Sequence, residues 1–132
     1  MRVMIDTNIL ISAILFPNSL PAKALEKASL NHSVILSSYG IEEIHIVFER
    51  KFKDKCLFLE KFLSKFSFEL VYTPLNIEEE KFPQIRDIKD LPILVTAILG
   101  DVDLIITGDK DFFALDIEKP EIVSAKDFIE KF

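Results

Sequence analysis

Short apolar, β-rich segments alternate with helical patterns along the whole chain, and this alternation restricts the fold more than any other feature of the sequence. It is typical of βαβ units, in which helices connect the parallel strands of one sheet. The predicted strands span residues 2–5, 33–36, 68–72, 103–107 and 121–123. Right-handed crossovers between such strands give a three-layer α/β/α sandwich. The pattern therefore predicts one α/β domain over residues 1–132, with a five-stranded, mostly parallel sheet.

Capping residues place helices between these strands. Ser19 with Pro21 opens one helix, Ser37 can cap the next, and Ser124 starts the last. The predicted helices run from 9 to 15, 19 to about 30, 37 to about 52, 55 to 66 and 90 to 99, with a short turn at 111–115 and a last helix from 124. Gly100 is expected to close the helix that begins at residue 90, because glycine is the usual residue just past a helix end.

Acidic side chains directly follow the first and fourth predicted strands. Asp6 comes after the first strand, and Asp109 and Asp111 come after the fourth. In an open α/β sheet the carboxyl ends of parallel strands form one crevice, where function usually sits. Carboxylates crowded there repel one another unless a divalent cation compensates them. The sequence therefore predicts a Mg²⁺ or Mn²⁺ site at this edge of the sheet.

Other acids lie at predicted helix starts, where the pattern leaves their roles open. Asp87 and Asp90 are three residues apart, and capping would explain one of them, most naturally Asp87. Asp90 is then free to face the site. Glu42 and Glu43 both border the apolar arc of their helix, so periodicity does not decide between them. Asp111 is equally open, because it can ligate a metal or cap the short helix that follows.

Polar neighbours of these acids are candidates for supporting roles. Asn8 can hydrogen-bond a neighbouring carboxylate or cap the helix after Asp6, and Thr107 can orient a water or a phosphate. His45 lies on the apolar arc of its helix, where a packed or interface role is favoured over metal binding.

The segment from residue 50 to 66 combines two features. Its lysines and Arg50 make it locally basic, so that it either tracks a phosphate backbone or forms a solvated helix face. Phe58, Phe62 and Phe66 recur at i, i+4 spacing. Core packing is the favoured reading of this stripe, and a dimer contact is the alternative.

Charge and cysteine content limit the partners and the compartment. The net charge of −6 argues against binding nucleic acid by overall electrostatics, although bound cations would reverse the local sign at the acidic edge. Cys56 is the only cysteine, so no internal disulfide forms and a reducing compartment fits. No run approaches the roughly 20 apolar residues that span a bilayer. We therefore expect a cytoplasmic protein that does not enter membranes.

The acidic segments resemble, in order, four motifs of PIN-domain nucleases. Residues 3–10 resemble the family's opening, 37–44 its second motif and 86–94 its third. Residues 103–112 are similar to the fourth motif in ten consecutive positions. The four matches cover nearly the whole chain. Within the family, the sequence resembles the VapC-like toxin components of toxin–antitoxin pairs.

The resemblance implies a metal-dependent ribonuclease that leaves 5′-phosphate and 3′-hydroxyl ends. The catalytic acids that it implies are Asp6, Glu43, Asp90 and Asp109. The metal ligands that it implies for Mg²⁺ or Mn²⁺ are Asp6, Asp90, Asp109 and Asp111. The family pattern thus favours Glu43 over Glu42. It also implies an RNA substrate, a homodimer and a small antitoxin protein that covers the active site.

Three other classes share part of the pattern. A haloacid-dehalogenase-type phosphatase also has acids after strands one and four, but needs a second aspartate where this chain has Asn8. A receiver domain needs an aspartate after strand three, where Tyr72-Thr73-Pro74 offers none. The non-enzymatic alternative is a PIN scaffold that only binds RNA or a protein. The presence of all four catalytic acids argues against it.

Overall fold

The computed structural model describes residues 1–132 and contains one five-stranded sheet. Its strands are β1 (Arg2–Ile5), β2 (Ser33–Ser37), β3 (Glu69–Val71), β4 (Leu104–Ile106) and β5 (Glu121–Val123). They are arranged in the order β3-β2-β1-β4-β5, and every neighbouring pair is parallel. The prediction of an α/β fold with a five-stranded, mostly parallel sheet is confirmed, and the sheet is in fact entirely parallel.

Helices connect the strands and follow the last one. They are α1 (Thr7–Leu15), α2 (Leu20–Asn31), α3 (Ser38–Lys51), α4 (Cys56–Lys65), α5 (Leu91–Leu99), α6 (Lys110–Phe113) and α7 (Ala125–Lys131). Ser19, Ser37 and Ser124 cap α2, α3 and α7, each accepting the backbone N–H three residues further on. None of the helices has the length and apolar character needed to cross a membrane.

Alternating strand residues supply two apolar layers, one on each face of the sheet. Val3 and Ile5 of β1 pack in a core of 19 buried residues that also includes parts of α1, α2, α3, α4 and α7. Met4 points to the opposite face, where it packs with α5 and with Phe112 of α6 in a core of 11 buried residues. Because successive strand side chains point to opposite faces, each central strand serves both layers. This arrangement is the predicted α/β/α sandwich.

Side-chain hydrogen bonds shift several element ends from their predicted positions. α1 begins at Thr7 rather than at residue 9, because the Asp6 side chain accepts the Thr7 N–H and caps the helix. β4 begins at Leu104 rather than at residue 103, since the Asp103 carboxylate accepts the Arg2 N–H at 2.8 Å.

α5 ends at Leu99 with Gly100 as its C-cap, as the sequence predicts, but the left-handed residue is the next one. Gly100 follows the last helical residue but has a φ of −83°, whereas Asp101 has a φ of 54°. Aspartate tolerates this left-handed conformation because its short polar side chain can bond locally, and here it binds Lys119 Nζ at 2.8 Å. Close packing explains Gly100 instead, because an added Cβ would lie 3.0 Å from the Thr96 carbonyl oxygen.

The carboxyl ends of β1 and β4 meet in the middle of the sheet. The chain leaves β1 towards β2 on one side, and it leaves β4 towards β5 on the other. Such a change of direction opens a crevice where ligands of α/β proteins bind. The Asp6 N–H donates to the Ile106 carbonyl oxygen at 3.0 Å, so the residues that follow both strands lie side by side.

Candidate active site

Asp6 is buried at this crevice, with only 6% of its surface exposed. Its Oδ1 accepts the Thr7 N–H at 2.8 Å and its Oδ2 accepts the Thr107 hydroxyl at 2.7 Å. Burial raises the pKa of Asp6 above its ordinary value, these two hydrogen bonds oppose the rise, and the charges of Glu43 and Asp109 add to it. The carboxylate is therefore held in a fixed orientation with its charge uncompensated.

Thr107 links the acids that follow β1 and β4. It is fully buried; its hydroxyl donates to Asp6 and accepts the Asp109 N–H at 3.0 Å. Asp109 in turn caps α6, because its Oδ1 accepts the Asp111 N–H at 2.9 Å. Asp109 thus caps the short helix, and Asp111 does not, although capping was one of the two roles that the sequence left open for it. Thr107 thus orients two aspartates, and its orienting a water or a phosphate stays a prediction.

Asp90 completes this acidic group from the start of α5. Its Oδ2 is buried and has no hydrogen-bond partner. Burial raises the pKa of Asp90 to about 7, and the neighbouring Asp109 adds to the rise because it can accept a hydrogen bond only from the protonated form. The charges of Asp109, Asp6 and Asp87 act in the same direction. Near neutral pH, a nearby cation would replace the proton on this carboxyl group.

The structure separates the two glutamates of α3. Glu43 is half-buried, and its negative charge contributes to the raised pKa values of Asp6 and Tyr39. Glu42 is exposed. Only Glu43 therefore faces the acidic group.

Gly40 lets α3 approach the start of α1 closely enough for this contact. A Cβ at this position would lie 2.9 Å from Ser37 Oγ and 3.3 Å from Thr7 Oγ1. The Thr7 hydroxyl is buried at this contact and has no hydrogen-bond partner. Replacement of Gly40 by a larger residue would push the helix that carries Glu43 away from β1.

A second trio of carboxylates shares Asp90. Oxygens of Asp87, Asp90 and Asp111 all lie within 4.8 Å of one another. Asp87 accepts the Lys89 N–H at 3.0 Å and so has the predicted capping role. Arg86 binds Asp111 through two hydrogen bonds, Nε to Oδ1 at 2.8 Å and Nη2 to Oδ2 at 2.9 Å. Asp111 thus has a positive partner within the chain, whereas no cationic side chain bonds Asp6, Asp90 or Asp109.

Tyr39 and Arg86 also lie near the acids, and the sequence assigned no role to Tyr39. Burial raises the pKa of the Tyr39 phenol, and the charges of Glu43, Asp90 and Asp87 raise it further. Its i, i+4 spacing from Glu43 on one helix face was the signal that could have identified it. For Arg86 the sequence favoured an exposed side chain and left open a contact with a phosphate or a neighbouring carboxylate; 79% of the side chain is exposed, and its guanidinium is fixed on Asp111.

Two candidates from the sequence lie outside this group. Asn8 is exposed on α1. His45 binds the Ile41 carbonyl oxygen through Nδ1 at 2.8 Å and Glu60 through Nε2 at 2.7 Å, which connects α3 to α4. Its contacts are those of a structural histidine.

The acidic group fits a hard divalent cation. Carboxylate oxygens are the protein ligands that Mg²⁺ prefers, and the charges of Asp6 and Asp109 both raise the pKa of Asp90, so the three carboxylates are near neighbours. Asp90 Oδ2 has no hydrogen-bond partner, and burial together with the charges of neighbouring acids raises the pKa values of Asp6 and Asp90. A bound cation would correct both features.

Comparison with known proteins adds a family match and a fold match. The sequence profile described as PIN domain matches residues 2–111. The crystal structure of VapBC2 from Rickettsia felis bound to a promoter DNA fragment has a fold similar to that of this chain. The TM-score is 0.68 and the sequence identity is 22%. That alignment covers 94% of this chain and 98% of the other. No curated protein sequence matches at a significant level.

Proposed function

The chain belongs to the PIN-domain family, and from this premise we propose that it is a metal-dependent ribonuclease, the toxin of a toxin–antitoxin pair. The observation that supports this best is the group formed by Asp6, Asp90 and Asp109. Three carboxylates converge at the switch point of a parallel sheet, and no cationic side chain bonds any of them. Structural acids are normally compensated within the fold, whereas groups with raised pKa values in a crevice are typical of functional sites.

Asp6, Asp90 and Asp109 would hold the Mg²⁺ or Mn²⁺ ion, and Glu43 would complete the group. A divalent cation supplies a nucleophilic water at neutral pH and stabilises charge on the leaving oxygen. Asp111 is the weaker ligand of the proposed set, because both of its oxygens are bound by Arg86.

The surrounding residues orient these carboxylates before substrate arrives. Thr107 and the Thr7 N–H fix both oxygens of Asp6, and the backbone of Asp109 is tied to Thr107. Such pre-set geometry is what lets charged groups act without reorganisation during a reaction. Asp90, with a pKa of about 7, is the group that gives up a proton when positive charge arrives.

RNA is the proposed substrate, hydrolysed at its phosphodiester bonds to 5′-phosphate and 3′-hydroxyl products. The basic segment from residue 50 to 66 begins at the far end of α3. α3 has 14 residues and begins beside the acids, so at 1.5 Å per residue Lys51 lies roughly 20 Å from that beginning. A contact of Lys51 with RNA would involve nucleotides remote from the scissile bond, whereas α4 returns along α3, where Glu60 bonds His45 at 2.7 Å.

We also propose a homodimer and an antitoxin protein partner. The R. felis structure is of VapBC2 on promoter DNA. In the present chain, Leu57 and Phe58 on α4 are 68% and 49% exposed, whereas Phe62 and Phe66 are partly buried against the main core. The aromatic stripe is therefore part core and part surface, and its exposed part suits a protein contact.

Light scattering after size exclusion tests the dimer. We expect Leu57→Asp with Phe58→Asp to give a monomer. Leu75→Asp, at a fully exposed leucine, should leave the mass unchanged. An unchanged mass in the double variant, or a monomeric wild type, would remove this surface from the proposal.

Cleavage of a mixed pool of single-stranded and structured RNAs in Mn²⁺ tests the activity. The assay includes an EDTA control, Asp6→Asn, and Asp116→Asn as a matched change at an exposed aspartate. We expect wild type and Asp116→Asn to cleave, and the other two reactions to be inactive. Cleavage that persists in EDTA would exclude a metal-dependent reaction. No cleavage and no Mn²⁺ binding by calorimetry would favour the scaffold that only binds RNA or a protein.

A further inference from the structure

A cavity of about 590 Å³ is lined by residues between Glu79 and Leu91, the last of which directly follows Asp90. Its apolar wall consists of Phe82, Ile85, Ile88 and Leu91. Ile85 and Leu91 belong to the buried core on the α5 face of the sheet, so this wall has a rigid base. The volume lies within the roughly 300–1,000 Å³ that is usual for small-ligand sites.

Arg86 connects this cavity to the acids. It lines the cavity, and its Nε and Nη2 bind Asp111, whose oxygens lie within 4.8 Å of those of Asp87 and Asp90. Nη1 makes no hydrogen bond within the chain, and the side chain is 79% exposed. A ligand in the cavity would therefore have its nearest phosphate beside a guanidinium and the acidic group.

The lining favours a nucleobase over a phosphate. Glu79 and Glu80 line the cavity, and their negative charges would repel phosphate, whereas carboxylates accept N–H groups. Phe82 and Ile88 offer apolar surface that suits the flat face of a base. Ile88 is 58% exposed, so it stands at the opening rather than in the core.

We infer that this cavity receives the base of a nucleotide whose phosphate lies at the acidic group, with Arg86 between the two. In naming RNA as the polymer that supplies this nucleotide, the inference rests on the proposed function. Glu79 and Glu80 favour bases with an exocyclic amino group, so adenine, cytosine and guanine should bind more tightly than uracil.

Titration of the protein with mononucleotides, followed by amide NMR shifts in Mg²⁺, tests this inference. The probes are the four nucleoside 5′-monophosphates and ribose 5-phosphate, which has no base. We expect the amino-bearing nucleotides to bind at least about 5-fold more tightly than ribose 5-phosphate, from the usual strength of base stacking on a protein surface. Equal affinities with and without a base would overturn the inference.

Ile88→Asn and Ile46→Asn form a matched pair of variants. Ile46 is 49% exposed and lies on α3, so both changes replace a surface isoleucine by the same neutral residue. Ile88→Asn should reduce nucleotide binding to the level of ribose 5-phosphate and leave ribose 5-phosphate binding unchanged. Ile46→Asn should change neither. Equal nucleotide affinities in the two variants would assign base binding elsewhere.

The binding assay is independent of cleavage. If nucleotides bind in a base-dependent way but RNA is not hydrolysed, the cavity is a base-binding site and the proposed ribonuclease activity is wrong. If RNA is hydrolysed but nucleotide binding does not depend on the base, the ribonuclease proposal stands and the proposed base-binding role of the cavity is wrong.

Discussion

The amino ends and the carboxyl ends of the strands form two edges of the parallel sheet, and both edges carry acids. The acids at the amino ends pair with cationic side chains, whereas most of those at the carboxyl ends do not. At the amino ends of the strands, Arg2 binds both oxygens of Glu69 at 2.9 and 2.8 Å, and its N–H binds Asp103. Lys119 contacts Asp101 and Asp103 at 2.8 and 3.5 Å. The hydrogen bonds from Arg2 lower the pKa values of Glu69 and Asp103.

At the carboxyl ends of the strands the pKa values are shifted in the opposite direction. Asp6 and Asp90 have raised pKa values, and the groups that bond Asp6 are an N–H and a hydroxyl rather than a cation. Arg86 bonds Asp111 alone among these acids, and its charge also acts on Asp87 and Asp109. The number of acids is thus a poor sign of function, because both edges have several. The informative feature is the absence of internal compensation, which a metal ion can supply from outside.

The largest expected difference between the edges is in catalysis. Asp90→Asn should lower Mn²⁺-dependent RNA cleavage at least ~100-fold, because a charged ligand of the proposed metal is lost. Asp103→Asn, at the compensated edge, should change the rate less than about 2-fold, since away from the site only stability is affected. The rates are compared at saturating Mn²⁺. Equal losses in the two variants would mean that the edges do not differ in function.

The second largest expected difference between the edges is in how much Mn²⁺ stabilises the folded protein. At an ion concentration 100 times its Kd, Mn²⁺ would stabilise the folded protein by about 2.7 kcal/mol. Thermal unfolding in Mn²⁺ and in EDTA should show this gain for wild type and Asp103→Asn. Asp6→Asn should show little of it. If Asp6→Asn gained as much as wild type, the ion would bind elsewhere.

The pH dependence of stability should have opposite signs at the two edges. Asp90 has a folded pKa of about 7, raised from its ordinary value of 3.8, so between these values the folded state holds more protons than the unfolded state. Stability of the metal-free protein should therefore fall as pH rises from about 4 to 7. The lowered pKa values of Glu69 and Asp103 act the other way, and their contribution is lost as pH falls below the ordinary range.

Urea unfolding in EDTA at pH 4.5 and 7.5 measures this effect. After discounting for the partial exposure of Asp90, the loss at the higher pH should be on the order of 1–2 kcal/mol. Asp90→Asn should flatten the dependence. A wild type that is more stable at pH 7.5 would show that other groups outweigh Asp90.

Local patterns were enough to predict the sheet and the acids that follow its strands. Apolar runs of the right length define β1 and β4, and Asp6 and Asp109 come directly after them. Burial on both faces makes such strands continuous apolar runs, which are easy to recognise. The position of the crevice, and the residues that follow these two strands, could therefore be predicted from local patterns.

Counter-ion pairing could not be predicted in the same way. Arg2 and Glu69 are 67 residues apart, and Arg86 and Asp111 are 25 apart. No periodicity connects such pairs, because they meet only once the sheet has formed. The choice between the α3 glutamates likewise depended on the close contact at Gly40. Whether an acid is compensated is a tertiary property, and it is this property that distinguishes the two edges.

The smallest expected effect compares the two arginines, each of which binds a carboxylate through two hydrogen bonds, Arg2 through Nη1 and Nη2 and Arg86 through Nε and Nη2. Arg2 also donates to the Gly100 carbonyl oxygen at 3.1 and 2.8 Å, so Arg2→Gln should lower the Tm and leave Mn²⁺ affinity unchanged. Arg86→Gln should leave the Tm nearly unchanged but tighten Mn²⁺ binding roughly 2- to 5-fold, because a positive charge beside the ion is removed and Asp111 is released. Calorimetry with Mn²⁺ measures both variants. Weaker binding in Arg86→Gln would mean that Arg86 orients Asp111 for the ion, and both edges would then use arginine for the same structural purpose.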